Sequence, residues 1–317
     1  MSKGKIAAMG ELLVEVMRPE ADMELWKAGA FLGPYPSGAP GIFISTAARL
    51  GQETIMIGGV GRDDFGKCIV DRLSKDKVDL TYLMVNDVLP TGTAHVTYFK
   101  NGDRKFIFHA NHTAAVCANV PQDAAKLGNV SYFHIMGCSL MVSAQFGSQI
   151  VQLMDELVKR GTKVSFDPNV RPEMLKDMEP LKLVKRVFQG CSIFLPGVEE
   201  LKSICGGETA QEAVRAAFEM NPGLEILALK DGSRGAFIYD RSGLLLNQPV
   251  YPVTQVDPTG AGDSFDGAFI SSLNDGLPVE EAAKRAAAAG ALNVMKFGPM
   301  EGEISEASIR EMMSRNK

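Results

Sequence analysis

Short apolar runs alternate with amphipathic stretches from one end of the chain almost to the other, and that rhythm admits few architectures. "KIAAMG" (5–10), "ETIMIGGV" (53–60), "SYFHIMG" (131–137), "KVSFD" (163–167), "CSIFLP" (191–196) and "LEILALK" (224–230) read as strands buried on both faces. Between them lie helical patterns such as "GIFISTAARLG" (41–51), "QIVQLMDELVKRG" (149–161) and "EAVRAAFEM" (212–220). The helix over 42–50 stops at Gly51 and the one over 149–160 at Gly161, where glycine accepts the left-handed turn that ends a helix. Strand, helix, strand repeated in this way predicts a mainly parallel central sheet with helices on both faces, a three-layer α/β/α fold in one domain over 1–317.

Two stretches break the rhythm. "ELLVEVMRPEADMELWKAGAFLGPYPSG" (11–38) and "TGTAHVTYFKNGDRKFIFHANHT" (91–113) show little helical period, and the second alternates about Asn101-Gly102, a strong signal for a tight hairpin. Antiparallel pieces do not fit inside a parallel sheet. Residues of about 11–36 and 91–113 are therefore expected to pair as a small β-sheet outside the main layer, a natural lid. Read from residues alone, two decorative hairpins are the other possibility.

Composition excludes some classes of partner. The formal charge is −5, so no global positive field exists to hold nucleic acid or acidic lipid. "MSKGKIAAMGELL" has no long apolar run and reads as neither a signal peptide nor a membrane span. Five cysteines are widely spaced, odd in number and without a CxxC pair, which points to reduced thiols and a cytoplasmic location.

The densest chemistry lies in "VDPTGAGDSFDGAFI" (256–270). Asp257-Pro258-Thr259-Gly260 is turn chemistry, and a helix follows as far as Gly276. Gly260, Ala261 and Gly262 thus fall where free N–H groups point out of a helix N-terminus, with too little side chain to keep a bulky anion away. Asp263 would compete with that anion unless it faces another atom. A hydroxyl beside the phosphate fits: the carboxylate takes the proton while the amides stabilise the phosphoryl group in transfer. The same residues are also what an ordinary helix N-cap uses.

Other groups carry less. "GRDDFGKC" (61–68) nearly fits a Walker A loop, but Asp63 and Asp64 would repel phosphate and Cys68 has no hydroxyl for Mg²⁺; Asp63 is expected to cap a turn. His109 and His112 have no third ligand near them in sequence and read as surface or lid contacts, while His95 and His134 stand alone. Asp266 reads as a solvated helix-face residue.

"DPTGAGDSFDGAF" resembles the C-terminal signature of the ribokinase (PfkB) family of carbohydrate kinases. Other landmarks follow in family order over nearly the whole chain: "GELLVEV", "PSGAPGIFISTAARLG", "GGVGRDDFG", "SFDPNVRPEML", "LKDGSRGAFIY" and "AAAAGALNVMKFGPMEG". The "SFDPNVRPEML" segment is similar to the D-x-N-x-R segment of fructokinases and 2-keto-3-deoxygluconate kinases.

The resemblance implies an ATP-dependent sugar kinase using Mg²⁺, with room for a monovalent cation such as K⁺. Asp263 would be the base, and Gly260, Ala261 and Gly262 the anion hole. Glu15, Gly38, Asn169 and Arg171 would face the sugar, with Arg104 reaching from the lid. Lys230, Gly232, Gly235, Ala287 and Thr259 would lie about the nucleotide. Glu200 would hold the Mg²⁺ water shell, and Asp257 with Thr259 the monovalent cation. Relatives also pair through the lid as homodimers.

The sequence departs from the family at Gly197, before Glu200, and at Ile42, each standing where relatives carry Asn. Ala287 likewise replaces an Asn seen on the adenine side of some members. A ketose or keto-sugar acid of the 2-keto-3-deoxygluconate, fructose or tagatose type is expected over ribose. Two rivals stay open: a nucleoside kinase, stacking a base on Phe99, Phe106, Phe108 or Trp26, and a sugar sensor without catalysis.

Overall fold

Neighbouring residues of the first strand face opposite ways, and both sides are dry. In β1 (Lys5–Met9), Ile6 and Ala8 join one hydrophobic core while Ala7 and Met9 join another. Side chains alternate across a strand, so a strand with two apolar faces needs a layer on each side of its sheet. The computed structural model, which describes residues 3–101, 104–170 and 179–315, supplies both.

After β1 come β2 (Leu13–Met17), β3 (Leu32–Ser37), α1 (Ala39–Arg49), β4 (Thr54–Gly61), α2 (Asp64–Lys75), β5 (Leu83–Asn86), β6 (Gly92–Tyr98) and β7 (Arg104–His109). The middle of the chain holds β8 (Val130–Met136), α3 (Gly137–Val142), α4 (Ala144–Lys159), β9 (Lys163–Asp167), α5 (Glu179–Gly190), β10 (Ile193–Phe194), α6 (Val198–Cys205) and α7 (Ala210–Met220). The last part holds β11 (Ile226–Lys230), β12 (Ala236–Asp240), β13 (Gly243–Gln248), α8 (Ala261–Asn274), α9 (Val279–Val294) and α10 (Glu306–Ser314).

Nine strands form the main sheet, in the order β13-β12-β11-β10-β9-β8-β1-β4-β5. It is parallel from β11 to β5, and β12 and β13 add an antiparallel edge. One core layer carries Phe43, Phe265 and Phe269 from α1 and α8; the other carries Phe146, Phe188 and Phe218 from α4, α5 and α7. Each fully buried aromatic contributes on the order of 1.5–3 kcal/mol. The expected helix stops hold: Gly51 has φ 78° and Gly161 φ 89°, both left-handed. α1 begins three residues before the expected Ile42, with a proline in its first turn that suits a helix start.

A second sheet, β3-β2-β6-β7, stands apart from the first and is built from the two stretches that broke the rhythm. It is not wholly antiparallel as expected. β2 and β6 run parallel, pairing Glu15 with Ala94, and two antiparallel pairs flank them. The loop between β2 and β3 folds back around Arg18, whose buried guanidinium donates to the carbonyls of Glu24, Leu25, Lys27 and Ala30 and stacks on Phe31. That loop carries Trp26, which is 77% exposed.

Candidate functional site

The first turn of α8 is where the site is built. Gly260 precedes it with φ 76° and ψ 1°, a left-handed conformation, and a Cβ there would run into the Pro299 carbonyl. Only glycine fits. The first hydrogen bond onto Gly260 comes from Ser264 N, at 2.9 Å. The opening amides of a helix have no carbonyl four residues back. Here Ala261 N makes only a long contact of 3.4 Å to the Pro258 carbonyl. At Gly262 an added Cβ would meet only Lys230 Nζ, at 3.7 Å, so bare backbone forms the surface. Behind this turn α8 is pressed against α1: a Cβ on Gly267 would come within 2.7 Å of the Phe43 carbonyl.

Two cavities meet at this turn. The larger, of about 490 Å³, is lined by Ala261 and Gly262 together with Lys230, Gly232, Gly235 and Ala287. Its remaining wall is mostly apolar, with Val253, Phe265 and Val294. The smaller, of about 50 Å³, is lined by Gly260 and Asp263 together with Glu15, Gly38, Arg104 and Thr259. The residues expected about a nucleotide thus line the first cavity, except Thr259, which lines the second. Those expected about a sugar line the second, except Asn169 and Arg171. Asn169 lies directly behind it; Arg171 lies outside the described residues.

Asp263 is 8% exposed, and its Oδ1 accepts a hydrogen bond from Asn169 Nδ2 at 3.1 Å. Asn169 sits at φ 38°, an unusual value for a residue with a side chain, and its own N–H donates to Asp167 Oδ1 at 3.1 Å. The turn after β9 is thereby fixed so that an amide faces the carboxylate.

Beneath the turn lies a buried charge cluster. Lys230 Nζ pairs with Asp167 Oδ2 at 2.7 Å and with Asp266 Oδ2 at 3.0 Å. Asp266 is therefore not the solvated helix-face residue expected: it is 0% exposed, and its carboxylate meets Lys230 Nζ at the end of β11. Burial would lower the Lys230 pKa, but Asp167 and then Asp266 outweigh it, and the ammonium is held above its ordinary value. Burial, relieved only partly by Lys230, pushes Asp266 well up. Asp167 goes the other way: burial opposes its charge, yet Lys230 and a hydrogen bond shared with Asp266 bring it down.

Glu200 completes the cluster. Its two oxygens accept from Val170 N at 2.9 Å and Gly197 N at 2.8 Å, and burial followed by the Asp167 charge raises its pKa. Three carboxylates thus surround one ammonium. Asp257 is elsewhere, in the turn before Gly260, where it bonds Thr259, Tyr98 and Gly298. Among the described residues no group of three or more His, Cys, Asp or Glu side chains forms a direct metal cage.

Glu11 was missed from sequence. It lines the smaller cavity and accepts from Cys138 Sγ at 3.1 Å and from Ser139 Oγ. Its signal was a carboxylate standing directly after an apolar strand, where a solvated residue is rarely placed. Asp63, expected to cap a turn, is the N-cap of helix α2: it accepts from Gly66 N at 2.8 Å and also from Thr91. His95, His109 and His134 make ring contacts rather than a metal group among the described residues. His95 meets His109 edge-on at 5.7 Å, and His134 stacks on Phe43 at 3.7 Å.

The sequence profile of the pfkB family carbohydrate kinases matches residues 4–306. Fructokinase-1 of Oryza sativa subsp. japonica is 28% identical over 319 residues, covering 97% of each chain. The 2-dehydro-3-deoxygluconokinase of Bacillus subtilis (strain 168) is 29% identical over 277 residues, covering 85% of this chain and 84% of that one. Among solved structures, a protein from E. coli described as ribokinase II, in complex with ATP and Mg²⁺, superposes with a TM-score of 0.90 at 35% identity, covering 98% of this chain and 99% of that chain.

Proposed function

The chain belongs to the pfkB family of carbohydrate kinases, and on that footing we propose that it carries the γ-phosphoryl group of ATP to a primary hydroxyl of a ketose or keto-sugar acid. One observation supports this above the rest: a single helical turn lines both cavities, with Ala261 and Gly262 on the large one and Gly260 and Asp263 on the small one. Nucleotide and sugar would meet end to end across it.

The large cavity has the volume of an ordinary small-molecule site, roughly 300–1,000 Å³, and its apolar wall suits an adenine. The sugar would take the small cavity. At about 50 Å³ it holds little more than a water or two, so the small sheet would swing away to admit a sugar and close over it, keeping water from the phosphoryl group. Asp263 would accept the proton of the attacking hydroxyl, held toward it by Asn169. The alcohol oxygen bonds to the γ-phosphorus, the bond to the bridging oxygen breaks, and ADP leaves. The amides at Gly260–Gly262 would stabilise the charge on the group in transfer.

Mg²⁺, when bound with the nucleotide, would neutralise phosphate charge. The excess of carboxylates over Lys230 fits a hydrated divalent ion held through water by Glu200 and Asp167 rather than a directly ligated one.

Of the two substrate types, the described lining favours a neutral ketose. Glu11, Glu15 and Asp263 bring three carboxylates to the small cavity against one guanidinium, Arg104. Glu15 accepts from Ser37 Oγ at 2.6 Å and would also accept from sugar hydroxyls. Self-association through the small sheet belongs to the same proposal, since β3 and β7 are its edges and Leu32 and Ile107 on them are exposed.

ADP release from ATP against hexoses, ketoses, keto-acids and nucleosides tests the reading. Turnover on a ketose or keto-acid is expected. Turnover on nucleosides alone, or sugar binding with no turnover on any compound, would replace it with one of the rivals.

A further inference from the structure

The wall behind the cradle is a loop, 298–302, that follows α9. Its Pro299 carbonyl is the group a Cβ on Gly260 would strike, at 2.4 Å, and its Gly298 N donates to Asp257 Oδ2 at 2.8 Å. The position of this loop therefore bounds the turn from Asp257 to Gly260. Its own backbone closes it only loosely, since Glu301 N reaches the Gly298 carbonyl at 3.4 Å.

Two arginines from distant elements take hold of the loop. Arg49, the last residue of α1, donates to the Met300 carbonyl at 3.3 Å and to the Gly302 carbonyl at 2.6 Å. Arg72 of α2 donates to the same Met300 carbonyl and to Glu301 Oε1 at 3.2 Å. Its aim is set from behind: Arg72 Nε donates to Asp76 Oδ2 at 2.7 Å, and Ser45 Oγ of α1 donates to that oxygen at 2.6 Å. The planar fork of a guanidinium lets each side chain meet more than one acceptor at once. Both forks converge on one carbonyl although their charges repel. Burial, then the Arg72 charge, lowers the Arg49 pKa. The other end of α1 opens on the small cavity, which Ala39 and Ile42 line. One helix thus runs from the proposed sugar site to the loop behind the phosphate cradle.

We infer that Arg49 and Arg72 are positioning residues for phosphoryl transfer: gripping the Met300 and Gly302 carbonyls, they hold loop 298–302 against Gly260 and so fix the amides that receive the phosphoryl group. The inference rests on the kinase reading. Neither arginine lines either cavity, so both act through the loop.

Arg72→Met keeps the apolar stem and removes the fork. Its kcat is expected to fall about tenfold, the scale of one hydrogen bond made by a charged group, with KM for ATP and for the sugar within about twofold of wild type. Arg72→Lys keeps the charge and one point of contact and should recover part of the loss. Hydrogen exchange, followed by mass spectrometry without ligands, should show amides 259–264 exchanging about tenfold faster in Arg72→Met, while those of α4, across the main sheet, exchange as in wild type. A normal kcat in Arg72→Met, a loss confined to KM, or a lysine variant as slow as the methionine one would overturn the inference. So would unchanged exchange at 259–264, or an equal acceleration in α4. Should no sugar turn over, the kinase reading fails, and the exchange comparison still decides whether the grip fixes the turn. If Arg72→Met does not fold, Arg72→Lys is read in the same two ways, with smaller changes of the same kind expected.

Discussion

Asn169 holds Asp263: the side-chain amide donates to the carboxylate at 3.1 Å from a backbone position at φ 38°. A residue with a side chain reaches that conformation at a cost on the order of 1 kcal/mol or more, and such strain is stored where a group must be aimed. Asp263→Ala is expected to lose at least about 10²-fold in kcat with nucleotide affinity nearly unchanged, the usual scale for a general base. Asn169→Ala should lose less, about tenfold, because the base is present but free to turn. Steady-state kinetics with calorimetric ATP titration check both. An Asp263→Ala enzyme with normal kcat would remove the proposed base.

The two glycines of the cradle should fail in different ways. Gly262→Ala meets open space apart from Lys230 Nζ, so the protein should melt normally while kcat falls, as the methyl group stands where a phosphate approaches. Gly260→Ala meets the Pro299 carbonyl and must hold φ 76°, so stability should drop by about 1–3 kcal/mol whatever happens to rate. Paired melting curves and rate measurements separate the cases. Equal melting losses for the two would contradict the geometry.

Removing the ammonium should strand buried charge. Lys230→Met leaves Asp167, Asp266 and Glu200 without their cation, a change worth about 3–5 kcal/mol of stability. In that variant the carboxylates have folded pKa values above their unfolded ones, so its deficit should shrink as the pH falls toward 4 and the stranded groups take up protons. Urea titrations of both proteins at several pH values measure this. A deficit independent of pH would show that lost packing, not charge, is the cause.

Acid sensitivity should trace to His134. Burial lowers its pKa to about 3 from 6.5. The unfolded chain therefore binds a proton that the folded chain refuses between those values. Stability rises with pH across that window and falls on acidification, by up to ~1.4 kcal/mol per pH unit from this one group. His134→Phe keeps a ring against Phe43 and should flatten that slope, even if losing the bond to Ser165 lowers stability throughout. An unchanged slope would assign the acid sensitivity to other groups.

Most of the architecture was legible because strands buried on both faces have no polar alternation to blur them, as in β4, buried along its whole length. The turn at Gly260 was legible because Asp257-Pro258-Thr259-Gly260 is turn chemistry and a helical pattern follows it at once. Sheet direction was not. Nothing local tells β2 that its neighbour β6 runs parallel, since that pairing spans the whole of α1, β4, α2 and β5. Asp266 was misplaced for a related reason. A carboxylate on a helix is ordinarily wet, and only Lys230, thirty-six residues earlier and on a strand, makes its burial possible. Glu11 and Tyr98 gain their partners through equally distant contacts, at Ser139 and Asp257.

The loop gathered around Arg18 carries Trp26, the chain's single tryptophan. Indole emission excited at the red edge of the absorption band therefore originates from one place, beside the small sheet and away from both cavities. Ligands in the large groove have no indole to quench by contact, so a spectral change on adding sugar would report movement of that outlying loop. If the small sheet closes over a sugar as proposed, Trp26 offers an optical probe of that movement with no label attached.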